Sequence, residues 1–335
     1  MVSRHSAFYS PLITTIAGGF LARRGIKADY DILSPGQRSS ELIRDGAVDV
    51  MQSAVSSNWK PMERGESPLP LHFAQINQRD GFFLVARERD AGRGPNGVRE
   101  KRAEHEPSPM REPDSAREPV APREENAAPE PDAASGSDAA FDWRQLGGQT
   151  VLADHAAQPL VMLKYAARLN GVEWAQVDAI DAGSPAEMVS AFREGRGDYV
   201  HLQSPAAHQL QCEGVGHVVA SVGAAMPPVA FSSLCCSREF ARNENFLWFL
   251  EAYSEAREWV RTTPAAEVAR TEANFFMGRS IDSLTAAVKS YQELGCWEGS
   301  LEITRDLYEQ ALNVFEAEGA IARRYPYEEV CLVPL

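Results

Sequence analysis

Ile43-Arg44-Asp45-Gly46-Ala47-Val48-Asp49-Val50-Met51-Gln52-Ser53 is a phrase this chain writes twice. The looser second copy is Phe192-Arg193-Glu194-Gly195-Arg196-Gly197-Asp198-Tyr199-Val200-His201-Leu202-Gln203-Ser204. Each copy reads as a helix end, a glycine stop, an aspartate, a short strand, and Gln-Ser opening a loop. Two distant copies predict two α/β lobes of similar build. Lobes that face each other enclose a cleft, and a cleft is where a small molecule binds.

Outward from the first copy, strand and helix patterns alternate. Ser10-Pro11 predicts the start of an apolar helix running to Arg24 and stopped by Gly25. Residues 28–33, 48–52, 71–76 and 81–86 read as strands. Around the second copy, 149–153, 177–180, 199–202, 217–222 and 229–236 read as strands. Pro159–Asn170, Pro185–Arg193 and the segment opened by Ser204-Pro205 read as helices. This alternation predicts a mostly parallel sheet in each lobe. From Asn243 onward the pattern is helical, and Phe246, Leu247, Phe249, Leu250, Tyr253 and Trp259 form an apolar face that packs on a sheet.

Residues 90–140 break the pattern with eight prolines, many Glu and Arg, and no aromatic residue. Such a segment cannot bury enough apolar area to offset its ordering entropy, so it reads as a disordered insertion.

A chain of 335 residues suits two domains with real cores. Net charge of −14 excludes nucleic acid, which needs a basic face. No apolar run is long enough to span a membrane. The five cysteines, Cys212, Cys235, Cys236, Cys296 and Cys331, have neither zinc spacing nor a disulfide pattern, and Cys235-Cys236 reads as buried strand. No cofactor or metal is expected. Met1-Val2-Ser3-Arg4-His5 lacks the features of a secretory signal.

The chain resembles the type II periplasmic binding proteins. Within them it is similar to the ABC-transporter substrate-binding proteins for nitrate, sulfonates, taurine and pyrimidines, the SsuA/TauA-like group that also includes the thiamine-pyrimidine synthases. The resemblance is carried by Ala7-Phe8-Tyr9-Ser10-Pro11-Leu12, Gly19-Phe20-Leu21, Leu42-Ile43-Arg44-Asp45-Gly46, Gly81-Phe82-Phe83-Leu84-Val85 and Tyr291-Gln292-Glu293-Leu294-Gly295-Cys296-Trp297. It implies a two-lobed fold with a hinge. Residues 1–88 and 226–335 would form the first lobe, completed by C-terminal helices, and 145–225 the second. It further implies a monomer that binds a small anionic or heteroaromatic ligand and hands it to an ABC permease. The implied location is periplasmic or extracytoplasmic; the missing signal leaves a leaderless cytoplasmic relative, a thiamine-pyrimidine-synthase-like enzyme or a ligand sensor, as the alternative. The synthases use a lysine with a histidine four residues later, and a cysteine-rich motif. Lys60 stands near the lysine's place, but Arg64 follows and the motif's cysteines are absent, so a binding protein is expected and not an enzyme.

Ligands of open α/β sheets sit beyond the carboxyl ends of strands. That rule selects His5, Ser6 and Tyr9; Ser53, Ser56 and Trp59; His155 and Gln158; and Gln203 with Ser204. Free N–H groups where loops turn into helices favour an anion. The three serines Ser53, Ser56 and Ser204 also suit helix caps, and Tyr9 and Trp59 also suit the core. His201 and His208 lie seven apart across a strand and a helix, and no metal site is expected there.

Overall fold

Short apolar strands alternating with capped helices build two sheets in the computed structural model, which describes residues 1–87 and 141–332. The 90–140 insertion lies outside the described residues. The strands are β1 (Val50–Ser53), β2 (Leu71–Asn77), β3 (Phe82–Arg87), β4 (Thr150–Leu152), β5 (Asp178–Ile180), β6 (Tyr199–Gln203), β7 (Gly216–Ser221) and β8 (Ser232–Cys236). One sheet has the order β1-β8-β2, the other β5-β4-β6-β3-β7.

The sheets are mixed, not mostly parallel. β8 runs antiparallel to both β1 and β2. β4 is parallel to β5 and β6, while β3 is antiparallel to β6 and β7. The antiparallel members are the strands reached by crossing from one sheet to the other. Parallel pairing in the first sheet survives as single bridges from Val2 to Ile32 and Gln52. The strand expected over 28–33 is therefore reduced to Ile32. β3, read from sequence as part of segment 1–88, belongs to the five-stranded sheet.

The chain thus crosses twice, between β2 and β3 and between β7 and β8. The crossings lie back to back: Val229 N–H donates to Gln78 O at 2.9 Å, and Phe231 N–H to Asn77 O at 3.2 Å. Gly223 meets Asp80 so closely that a Cβ there would stand 2.2 Å from the Asp80 carbonyl oxygen.

Eleven helices are described: α1 (Ser10–Ala17), α2 (Ser39–Arg44), α3 (Trp59–Glu63), α4 (Ala157–Leu169), α5 (Pro185–Arg193), α6 (Ala206–Cys212), α7 (Glu244–Thr262), α8 (Ala265–Glu272), α9 (Ile281–Glu293), α10 (Arg305–Ala317) and α11 (Tyr327–Val330). α1 stops at Ala17, short of the expected Arg24, because Gly18 caps it and Gly19 turns left-handed at φ 71°. Ser184 and Glu187 close a capping box on α5. α7 and α8 pack on α1, and α9 packs on α8 and α6. Phe246, Phe249 and Tyr253 of α7 are buried as expected, whereas Leu247 is 58% exposed. Cys235 and Cys236 are buried in β8.

Tyr291 of α9 ties a crossing to the second sheet. Its hydroxyl donates to Gly81 O at 2.9 Å and accepts the Ser204 N–H at 2.9 Å.

Candidate functional site

Where the ends of β1, β4 and β6 converge, three side-chain contacts join one sheet's loops to the other's. Arg4, just after the Val2 bridges, forms a two-nitrogen ion pair with Asp154, just after β4; one contact is 3.0 Å. Ser56, past β1, donates to Gln158 Oε1 at 2.6 Å, and Gln158 donates to Phe231 O at 2.7 Å. Ser6 donates to Ser204 O at 2.7 Å, joining the N-terminal loop to the end of β6. Gln52 and Ser53 end β1 and Gln203 ends β6, so the doubled phrase delivers its Gln-Ser pairs to different sheets.

Behind these contacts lies a buried polar group. Tyr9, 3% exposed, has the Gln203 and Ser232 side chains at its hydroxyl and Arg4 and Asp80 nearby; burial raises its pKa. Asp80 is fully buried in the first crossing. One carboxylate oxygen accepts the Phe82 N–H at 2.6 Å, and the other, Oδ2, has no hydrogen-bond partner. Burial pushes its pKa well up, the Phe82 bond opposes this, and Asp154 adds to it.

His201, in the middle of β6, is fully buried and stacks on the Phe82 ring with centroids 4.4 Å apart. Neither ring nitrogen has a partner. Burial holds its pKa down to about 3, against the pull of Asp154, so the ring is a neutral donor and acceptor. Asn77, at the end of β2, is likewise fully buried with both amide atoms unpartnered. Buried polar atoms are nearly always hydrogen-bonded, so such a group marks a place built for a polar guest.

The residues selected from sequence divide on this geometry. Ser6, Tyr9, Ser56, Gln158 and Gln203 lie at the junction of the sheets. His155, half-buried, donates from Nδ1 to Ala153 O at 2.9 Å and sits close enough to act on His201. Ser53 is buried and shares a hydrogen bond with Ser57 at 3.0 Å. Three selections are held by contacts within the protein. Trp59 belongs to the core: it stacks on Tyr325, meets Tyr308 and Phe315 edge-on, and donates its indole N–H to Tyr308 at 3.2 Å. His5 spends both nitrogens on Tyr30 and the Phe275 carbonyl and stacks on Phe276. Ser204 is a structural joint, held by Ser6, Tyr291 and His208. Lys60 is exposed on α3, and Arg64, just past its end, is exposed and pairs with Glu66; neither belongs to the buried group.

Four participants were not selected from sequence: Arg4, Asn77, Asp80 and His201. His201 did carry a signal, as a polar residue inside an otherwise apolar strand copy. Asp80-Gly81 carried a weaker one, an Asp-Gly break between two strand patterns. Among the described residues no cluster of His, Cys, Asp or Glu could hold a metal ion.

No protein-family profile matches the chain. It is 22% identical over 331 residues to YtlA of Bacillus subtilis (strain 168), which carries a provisional binding-protein name; the match covers 97% of this chain and 84% of that protein. A ligand-binding component of an ABC-type import system from Staphylococcus aureus, solved with zinc bound, superposes with a TM-score of 0.65 at 12% identity, covering 99% and 94% of the two chains. The periplasmic aliphatic sulphonate binding protein SsuA from Escherichia coli gives 0.64 at 12% identity, covering 98% and 91%. At such identities the shared property is the fold, and the fold of this chain is that of the type II periplasmic binding proteins.

Proposed function

We propose that this protein is a solute-binding protein. It captures one small molecule between its two sheets and delivers it to an ABC-type permease outside the cytoplasm. The observation that carries the reading is that Asp80 Oδ2, both His201 ring nitrogens and both Asn77 amide atoms are buried without a partner, while the Arg4–Asp154 and Ser56–Gln158 contacts join the loops of the two sheets. The two crossings, at 78–81 and 222–231, would serve as the hinge between a first lobe built on β1, β2 and β8 and a second built on the other five strands. The chain would work as a monomer. Its ligand would come from the group formed by sulfonates, nitrate, taurine and pyrimidine-like molecules.

Thermal-shift screening against those compounds and aromatic acids tests the reading. A ligand at 100 times its Kd stabilises the native state by about 2.7 kcal/mol, a readable shift in melting temperature. X-ray scattering should also report compaction when that ligand is added. A panel without any stabilising compound, together with no small molecule extractable from the purified protein, would sink the reading.

A further inference from the structure

The acidic side chains of the buried group outnumber its cations. Asp80 and Asp154 act on each other, and the Arg4 guanidinium gives two nitrogens to Asp154. Arg79, next in the chain to Asp80, donates to the Gly223 carbonyl at 3.1 Å. His201 is neutral, and Asn77 and Gln203 carry no charge. The loop N–H groups weighed in the sequence suit an anion, but these side chains do not. A nitrogen-free anion placed beside them meets Asp154 with its partner cation already engaged, and supplies neither a hydrogen nor a positive charge to hold Asp80 in its carboxylate form.

Resting on the solute-binding reading, we propose that Asp80 is a specificity-determining residue. It selects ligands that present a protonated amine or an amino-substituted nitrogen heterocycle, and rejects nitrogen-free anions. Three observations place such a group. Asp80 is fully buried with one oxygen fixed by the Phe82 N–H, so the free oxygen has a fixed direction. That oxygen has no hydrogen-bond partner. The Phe82 ring, next but one to Asp80, stacks on His201 and lies 5.8 Å from the Arg4 guanidinium carbon, so nitrogen-bearing planar groups already gather on it. A cationic nitrogen at Asp80 also favours the carboxylate form that burial alone opposes. The contact is then a charge-assisted hydrogen bond, the strong kind. A site built to pair a substrate N–H discriminates sharply against the analogue lacking it, because the buried acceptor is left unpaired.

Isothermal titration calorimetry with matched pairs tests this: taurine against ethanesulfonate, β-alanine against propionate, 4-aminopyrimidine against pyrimidine. The aminated member of the binding pair should bind at least about 10-fold tighter, and Asp80→Asn should collapse the preference. Asp80→Asn keeps an oxygen for the Phe82 N–H, and its melt reports that it folds. Asp45→Asn, which removes an exposed carboxylate outside the group, should retain the preference. Equal or tighter binding of the nitrogen-free member overturns the proposal and leaves solute binding standing. So does mass-spectrometric recovery, from the denatured wild-type protein, of a bound molecule without basic nitrogen. Neither binding nor any recovered molecule overturns solute binding itself, and this proposal with it.

Discussion

Arg4 and Asp154, 150 residues apart in sequence, meet head-on where the two sheets face each other. Asp154 is 95% withdrawn from solvent and also accepts the Ala156 N–H at 2.9 Å. Removing Arg4 strands that carboxylate, and a buried charge that loses its partner costs about 3 kcal/mol. Arg4→Met should therefore lower the urea midpoint. Because the pair bridges two sheets, it should also raise the ligand-free radius of gyration in solution scattering. Arg4→Met with Asp154→Leu should recover much of the stability but not the compaction. Scattering curves identical to the wild type for both variants would refute a closing role.

The back-to-back crossings set the second expectation. A Cβ on Gly223 would stand 2.2 Å from Asp80 O, a backbone atom that cannot swing aside. Gly223→Ala should cost about 1–3 kcal/mol through overpacking and should weaken ligand binding as well, since Asp80 must move. Gly46 provides the comparison: its φ is 70°, but nothing lies within 4 Å of an added Cβ. Gly46→Ala should cost about 1 kcal/mol of backbone strain and leave binding intact. Denaturation and calorimetry on both variants separate the cases; equal binding losses would contradict this account of the hinge.

Much of this arrangement was readable from sequence because it rests on local signals. The two Gln-Ser phrases, the Pro185–Arg193 helix and the apolar face of α7 each follow from neighbours within a turn or two of the chain. Asp80 was missed because its meaning is non-local. It matters only when Gly223 and Phe82 close around it, and no spacing within Gln78-Arg79-Asp80-Gly81 announces that. Strand direction failed for a related reason. β3 and β8 look like their neighbours in sequence, but each is reached by a crossing, which reverses its sense. The internal contacts of Trp59 and His5 were not legible because an aromatic residue in a loop beyond a strand serves a core as readily as a ligand, and partners such as Tyr308 and Phe275 lie far along the chain.

The placement of Trp59 separates core from site experimentally. Its indole is 1% exposed among Tyr308, Tyr325 and Phe315. Trp59→Ala should cost about 3–5 kcal/mol in urea unfolding. Ligand affinity of the folded fraction should change by less than about 3-fold, less than 1 kcal/mol. Ser56→Ala should do the reverse: it breaks the bond to Gln158, weakening binding at small cost to the fold. A binding loss for Trp59→Phe without a stability loss would return Trp59 to the site.

Glu272, fully buried at the end of α8, gives the protein a pH dependence of definite sign. The Thr14 hydroxyl donates to its Oε1 at 2.6 Å. The Ser10 hydroxyl lies 2.8 Å from Ala7 O and 2.7 Å from Glu272 Oε2. A hydroxyl has one hydrogen, so when Ser10 gives it to Ala7 O, the proton between Ser10 and Glu272 must come from the acid. Burial accordingly raises the Glu272 pKa from 4.5 to about 8, against the opposing bonds from Thr14 and Ser10. The unfolded chain releases this proton near 4.5 and the native chain near 8, so between those values the native state holds one proton more. That contribution to stability is complete below pH 4.5, falls as pH rises through the window, and is gone above about 8. Its full span is on the order of 4–5 kcal/mol. Glu272→Gln keeps a donor for Ser10 and an acceptor for Thr14 but cannot ionise. Urea midpoints at pH 5, 6.5 and 8 should therefore fall less steeply for Glu272→Gln than for the wild type, with the largest gain at pH 8. Parallel profiles for the two proteins would show that Glu272 is ionised in the native state throughout.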